Sequence, residues 1–335
     1  MAKYVLEEYV INGFNASSKA REDVSKILLD YGYQSVGKND KRKISNSKIK
    51  KTATAMKIYG KLAISLKKDD LVFLQTSLKV LNGILKVKKM TKFRIVYLIH
   101  DLFSLKYDDY EAHKSEIDSD IAILNQCEYV ICHNSRMKDK LIEFGCTSNL
   151  FEIGIFDYLI DNSSKPVNRT YKPDEIAFAG NLSKSAFLSR LDEKVHDGIA
   201  FNIYGSPIAN FSNLNYYGSV PAEKLPFVIK GNYGLIWEGE YEISEEDNYT
   251  RFNNPHKASL YIVSGLPLIV WSKAAISDFV KRNRIGIVID SLDELEDAVK
   301  KISEEEYAEM KMHCKEIREK LMRGYFLRRI LDMFR

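Results

Sequence analysis

"RFNNPHKASLYIVSGLPLIVW", Arg251–Trp271, changes character twice. It opens polar, with Arg251, Asn253, Asn254, His256 and Lys257 grouped around Pro255. It then turns apolar at helical spacing, stops at Gly265, and resumes from Pro267 as a short buried strand. Asn253 or Asn254 is expected to cap the helix, because Asn is a preferred N-cap and Pro255 in the first turn loses no needed donor. The first-turn N–H groups then point toward the end of the preceding strand. There the helix dipole and the charge of Lys257 favour an anion, with Arg251 just upstream. The chemistry such a mouth serves is the binding of a diphosphate, above all one that departs with negative charge. A capped core helix with an exposed lysine would use the same residues, so the stretch alone leaves both readings open.

The surrounding sequence repeats this strand–helix alternation. "YVLEEYV", "LVFLQTS", "FRIVYLIHD" and "YVICHN" read as strands in the first half, separated by helical runs near 19–31, 78–90, 115–126 and 135–145. "EIAFAG", "IAFNIYG", "LNYYGSV", "YGLIWEG", "PLIVW" and "GIVID" read as strands in the second half, with a helix from Pro221 and a capping box pairing Ser291 with Glu294. Such alternation predicts right-handed βαβ units and parallel sheets. Residues 161–175 are polar, contain two prolines and read as an interdomain linker. The expected organisation is a first α/β domain over 1–160, a second over 161–310, and an Arg-rich helix over 311–335 that returns to the first.

A chain of 335 residues is long enough for two such cores. Its 45% hydrophobic and 29% charged residues fit a globular protein. The formal net charge of +4 suits acidic ligands and does not by itself indicate nucleic acid. The four cysteines, Cys127, Cys132, Cys146 and Cys314, lack paired ligand spacing and read as reduced structural thiols. Glu7 and Glu8 interrupt the apolar run a signal peptide would need, so a cytoplasmic location is expected. The basic run 38–51 reads as a solvated loop or helix face, with attraction to anionic lipid as the sharper alternative. It has no interleaved aromatics for stacking bases.

Open α/β sheets bind ligands at the carboxyl ends of their strands. "GNLSKSAF" follows the first strand of the second domain, where Gly180 permits close approach, Asn181 offers hydrogen bonds and Lys184 can meet a phosphate. "IHDLFSL" places His100 and Asp101 at the end of the most buried strand of the first domain. Either side chain there is a candidate general base for an acceptor hydroxyl, and Asp101 as the cap of the next turn is the plainer alternative. Asn12, Asn15, Ser17 and Ser18 form a set of sugar-like hydrogen-bonding groups after the first strand, although the same residues commonly make turns. "DSD", Asp118–Asp120, falls in a predicted helix and reads as solvated surface, and no D-x-D triplet lies near the proposed site.

"FRIVYLIHDLFSL", "EIAFAGNLSK", "YGLIWEG", "NNPHKASLYIVSGLPLIVW", "RNRIGIVI" and "RGYFLRRIL" together resemble a family of bacterial GT-B glycosyltransferases. That family includes the glucosyltransferases that extend the glycan of serine-rich-repeat adhesins and the β-1,6-galactofuranosyltransferases of surface polysaccharide assembly. The resemblance spreads over nearly the whole chain, and "NNPHKASLYIVSGLPLIV" is its most specific part. It implies a GT-B fold, two Rossmann-like domains facing a central cleft, with a UDP-hexose held mainly by the second. It also implies UDP contacts at Lys184, Tyr217 and Lys257. The activity implied is hexose transfer, glucose favoured, to a growing glycan on a serine-rich-repeat glycoprotein, with galactofuranose transfer in polysaccharide synthesis as the alternative. No metal or other cofactor is expected, since Lys257 and the helix mouth take the charge of departing UDP. The expected partners are the donor and a glycoprotein or glycolipid acceptor. A homo-oligomer and peripheral contact with the inner membrane face are compatible with this set, and nucleic acid is not part of it. A non-catalytic two-lobed binding protein is the competing class.

Overall fold

The computed structural model describes residues 2–9, 16–40, 48–160, 175–194, 196 and 198–334, with the side chains at 16, 17, 40 and 48–51 outside that description. The linker expected at 161–175 therefore lies, apart from Glu175, outside the described residues, as do Asn12, Asn15 and the central part of the basic run.

The first half forms strands β1 (Lys3–Tyr9), β2 (Gln34–Asp40), β3 (Leu71–Leu74), β4 (Arg94–Leu98), β5 (Tyr129–Cys132) and β6 (Asn149–Glu152). Between them run helices α1 (Ala16–Asp30), α2 (Lys48–Ser65), α3 (Leu78–Thr91), α4 (Tyr110–Leu124) and α5 (Ser135–Glu143). The second half forms β7 (Glu175–Asn181), β8 (Ala200–Ser206), β9 (Asn215–Tyr216), β10 (Tyr233–Ile236), β11 (Leu268–Trp271) and β12 (Gly286–Ile289). Its helices are α6 (Phe187–Asp192), α7 (Leu225–Val228), α8 (His256–Val263), α9 (Ile276–Asn283), α10 (Leu295–Lys300), α11 (Glu304–Met322) and α12 (Tyr325–Leu331). Among the described residues the strands make two parallel sheets, ordered β2-β1-β3-β4-β5-β6 and β12-β11-β10-β7-β8-β9. Each order reverses beside its first strand, between β1 and β3 and between β7 and β10, which opens a crevice at the strand ends.

β2, α2 and β6 have no counterpart among the sequence expectations. β2 ends and α2 begins within the basic run, and Val36 is the one large apolar residue of Gln34–Asp40, too little to show an alternation. The third strand of the second half shrinks to Asn215–Tyr216, and Pro221 opens a turn before α7. The box expected at Ser291 does not close: Ser291 accepts from Asp293 N, while Glu294 accepts from Asp290 N. A reciprocal box stands instead at the start of α11, between Ser303 and Glu306. Asp118 and Asp120 do lie in a helix, but Asp120 is half-buried and accepts from Ser104 Oγ at 2.7 Å, so only part of that triplet is solvated surface.

The chain forms two compact units. The first comprises Met1–Gly13, Ala20–Gly154 and Leu327–Arg335; the second comprises Phe14–Lys19 and Ile155–Phe326. These limits differ from the expected breaks at 160 and 311 for packing reasons. Residues 155–160 run through the second unit, where Ser259 Oγ donates to Phe156 O at 2.6 Å and Tyr158 Oη donates to Ala222 O at 2.6 Å. α11 also stays there, packed on α8. Only the last residues belong to the first unit, where Arg329 donates to the carbonyls of Glu152 and Ile153 and Phe334 lies against Tyr129 and Phe151.

One close approach fixes α8 on its sheet. A Cβ at Gly234 of β10 would sit 2.2 Å from Tyr261 Cγ, so only glycine lets the buried Tyr261 ring lie against the strand. From there Tyr261 Oη accepts from Ala179 N of β7 at 2.8 Å. The β7–β10 ladder has registered Ile176 and Ala177 by that point, and the tyrosine takes the next N–H on that side. Tyr261→Phe should therefore destabilise the fold by about 1–3 kcal/mol, the cost of a buried donor left without its acceptor. Urea unfolding of the two proteins measures this, and a difference within about 0.5 kcal/mol would show the bond to be dispensable.

Candidate active site

The mouth of α8 differs in detail from its sequence reading. Pro255 itself takes the N-cap position, in extended conformation, in place of Asn253 or Asn254. Asn254 is buried, and the helix begins at His256 with Lys257 second. The His256 ring stacks on Tyr158, with centroids 5.0 Å apart, which holds the first turn against the 155–160 segment.

Lys257 reaches from this turn to the ends of two strands. Its Nζ lies 3.4 Å from Trp237 O and 3.4 Å from Glu238 Oε1, both just past β10. It also stands over the Phe178 ring of β7, 4.9 Å from the centroid, and 3.7 Å from where Gly180 would carry a Cβ. The side chain is 13% exposed, so its charge acts through a poorly solvated space where Coulomb interactions are stronger than in water. Gly239 ties the two strand ends together: its N–H donates to Lys184 O at 3.1 Å, and its carbonyl accepts from Phe187 N at 3.0 Å. Beside Glu238 a small cavity of about 10 Å³ is lined in part by Trp237, Asn253, Pro255 and Trp271. Asn253 Oδ1 is buried and accepts no hydrogen bond among the described residues.

The other expected donor residues are placed as follows. Lys184 ends an exposed 3-10 turn, and Asn181 Oδ1 accepts from Ser183 N at 3.0 Å at its start. Tyr217 is 41% exposed and stacks on Tyr204 at 5.1 Å, with Lys230 Nζ 4.8 Å from its ring. Its neighbour Tyr216 is tied to Gly205 O. Arg251 donates through Nη1 to Glu245 O at 2.7 Å, within the acidic loop. The structure thus brings Gly180 and Lys257 together and adds Glu238, which the sequence reading placed in the strand "YGLIWEG" without a role.

In the first unit, His100 Nε2 meets Gln75 Oε1 at 2.9 Å, and Gln75 donates onward to Arg21 O and Ser25 Oγ. The turn after Asp101 has Leu102 at its N-cap position, one residue beyond Asp101, and Asp101 itself is exposed. Burial draws the Arg21 guanidinium below its ordinary range, and the charges of Asp101 and Glu8 oppose that pull. Glu8 is fully buried at the end of β1 and accepts from Asn39 Nδ2 at 2.7 Å. Glu8, Arg21 and Gln75 were missed; the available signal was a pair of carboxylates inside an apolar strand. Ser18 of the expected sugar-like set is buried, at 2% exposure; the Ser17 side chain lies outside the description. Among the described residues no group of three or more His, Cys, Asp or Glu side chains is placed to hold a metal, and no helix is long and apolar enough to cross a membrane.

Family models described as glucosyltransferase 3-like match residues 2–155 with the N-terminal domain and 176–334 with the C-terminal domain. The chain belongs to this family. It is 31% identical over 98% of its length to the β-1,6-galactofuranosyltransferase WbbI of Escherichia coli K12, covering 97% of that protein. It is 27% identical to glucosyltransferase 3 of Streptococcus gordonii, over 72% of this chain and 71% of that one. Among solved structures, Anabaena HepE in complex with UDP-glucose superposes with a TM-score of 0.62 at 11% identity, covering 99% of each chain, which shows a shared fold. The family member described here is thus a GT-B glycosyltransferase, and the reading as a non-catalytic binding protein is set aside.

Beneath the site of the first unit, His133 is buried and donates from Nε2 to Ile99 O at 3.0 Å. Burial pushes its pKa down from 6.5 to about 4. The unfolded chain therefore binds a proton between those values that the folded chain refuses, and stability falls as pH drops through that window. At pH 5 this one group should cost about 2 kcal/mol relative to pH 7. NMR of the His133 ring should find it neutral at pH 5; a midpoint above pH 6 would contradict the assignment.

Proposed function

We propose that the chain transfers a hexose from a UDP-sugar to a growing surface glycan carried on a glycoprotein or glycolipid. The observation that carries this reading is the Lys257 ammonium, held between the ends of β7 and β10 at the first turn of α8. A diphosphate there would displace Glu238 as the partner of Lys257 and gain the helix N–H groups. Negative charge grows on the UDP as the glycosidic bond breaks, so a fixed cation beside it stabilises the transition state more than the ground state. Gly180 lets the phosphates approach the β7 end closely. Lys184, Asn181, Asn253, Asn254 and Tyr217 serve the rest of the nucleotide. Arg251, engaged by the acidic loop, contributes once that loop yields it. No metal is required, because Lys257 and the helix dipole supply the positive charge.

In the first unit His100, oriented by Gln75, and Asp101 serve the acceptor, with Asp101 as general base. Asn12, Asn15, Ser17 and Ser18 serve sugar or acceptor contacts. The enzyme works in the cytoplasm, in peripheral contact with the inner membrane face. Glucose transfer to a serine-rich-repeat glycoprotein is the first reading, supported by the family description and the Streptococcus relative. Galactofuranose transfer in polysaccharide synthesis is the second, favoured by the higher identity to WbbI along nearly the whole chain.

Purified protein offered UDP-glucose, UDP-galactofuranose and UDP-GlcNAc should release UDP from one of the first two, with the rate unchanged by EDTA. Lys257→Ala should lower kcat at least about 10-fold and weaken UDP binding, while the melting temperature stays near wild type because alanine suits a helix. Turnover by this variant at the wild-type rate would remove the helix mouth from the mechanism.

Asp101→Asn separates base from scaffold. Acceptor-dependent turnover should fall at least about 100-fold with UDP binding kept, as loss of a general base requires. Full turnover in the variant would leave Asp101 without a catalytic role.

A further inference from the structure

Residues 52–94 carry nine lysines, Arg94 and only Asp69 and Asp70 as acids, a net of +8 in a chain whose total is +4, so the remaining residues sum to −4. The basic character of this protein is therefore a local property. The segment contains most of α2, together with β3, α3 and the start of β4. Neither α2 nor α3 contains an acidic residue.

The two helices form one surface. α2 enters β3 and α3 leaves it, and right-handed crossovers running the same way across the sheet place both helices on one face. They pack side by side with Tyr59 of α2 lying across Gly83 of α3, where an added Cβ would sit 2.0 Å from Tyr59 Oη. Ile58, Leu62, Leu81, Ile84 and Leu85 are buried beneath them. Of the nine lysines eight are exposed, against one exposed acid, Asp69; Asp70 is buried, accepting from the backbone of Ala2 and Lys67. Three large apolar side chains stand among the lysines, Ile64 at 88% exposure, Met90 at 79% and Met56 at 63%. On α2, Met56, Gly60 and Ile64 recur at a spacing of four, so they make a single outward stripe with Lys57 beside it. α4, next to α3, carries exposed acids such as Glu111, Glu116 and Asp118 and marks the border of the basic surface.

We infer that this α2–α3 face docks on a bilayer containing anionic phospholipid. The lysines meet lipid phosphates, and Ile64, Met90 and Met56 enter the headgroup layer. Charge complementarity alone would also suit a nucleic acid. Two observations favour the lipid. The aromatic ring of the α2–α3 pair, Tyr59, is turned between the helices and offers no stacking platform, and exposed aliphatic side chains gain nothing beside a phosphate backbone. The surface differs from the 38–51 run singled out in the sequence, and it goes beyond the donor-site reading without depending on it. Peripheral docking of this kind would bring the enzyme to acceptors carried on membrane lipid.

The test uses the full chain in flotation with vesicles of equal parts phosphatidylglycerol and phosphatidylcholine, against vesicles of phosphatidylcholine alone. The protein should float with the anionic vesicles and stay behind with the neutral ones. Combined Lys57→Glu, Lys79→Glu, Lys86→Glu and Lys89→Glu should lower the bound fraction at least about 10-fold. Ile64→Ser with Met90→Ser should weaken the binding that survives in high salt, where charge is screened. All these side chains are exposed, so melting temperature and UDP-sugar hydrolysis should remain at wild-type values. Hydrolysis reads the proposed function and flotation reads this surface, so either can fail alone. Equal flotation with both vesicle types, undiminished flotation of the charge-reversed protein, or tighter binding to a single-stranded oligonucleotide than to anionic vesicles at the same salt would overturn the inference.

Discussion

The contact of Tyr261 with Gly234 governs the chemistry of the second unit. A helix packed on a sheet normally stands off by the depth of the side chains between them. Here one strand residue has none, and the tyrosine ring fills the space directly against the backbone. The hydroxyl then finds the Ala179 N–H, which binds α8 to β7 as well as to β10. With the helix fixed at both strands, the first turn has one place to be. The four-carbon stem of Lys257 then puts the ammonium at the point where the strand order reverses. A lysine on a looser helix would move with it, and a charge that must stabilise a departing diphosphate needs to be in place before the charge develops.

The surroundings of Lys257 are tuned rather than neutral. One carboxylate, Glu238, and one carbonyl, that of Trp237, stand at 3.4 Å, close enough to keep the ammonium in position and too far for strong hydrogen bonds. Glu238 is 44% exposed and can turn to solvent when a stronger anion arrives. The first unit uses a different principle at its own strand ends. Glu8, Arg21, Gln75 and His100 form a connected polar set in which burial is offset by mutual hydrogen bonds and opposite charges. Such a set holds an imidazole and a carboxylate in fixed attitudes, which suits positioning more than charge neutralisation.

The family relation and the physical reading support each other without being the same argument. Identity to a galactofuranosyltransferase and to a glucosyltransferase establishes the kind of reaction. It does not explain why Pro255, with no side-chain cap, can start the helix, or why Arg251 is held by the acidic loop. Those follow from local chemistry. A proline N-cap brings no side-chain oxygen to the first turn, and the Glu245 carbonyl accepts from the guanidinium.

The sequence by itself determined the βαβ alternation, the division into two α/β cores and the helix mouth at Lys257. Each rests on local periodicity and on residues adjacent in the chain: the apolar run 93–101, the Gly–Pro break at 265–267 and the polar cluster at 251–257. It did not reveal β2, which holds one large apolar residue, or α2, where interspersed lysines obscure the period that marks a buried face. Only the tertiary structure decided that Pro255 takes the N-cap position of α8, that Ser18 is buried, and that residues 155–160 and α11 belong to the second unit. Only it brought Glu238 and Gly180 to Lys257. Those outcomes depend on side chains that meet across tens of residues, such as Tyr261 with Gly234 and Ala179, or Ser259 with Phe156. Periodicity along the chain records which face of an element is buried; which residue it is buried against is settled by packing.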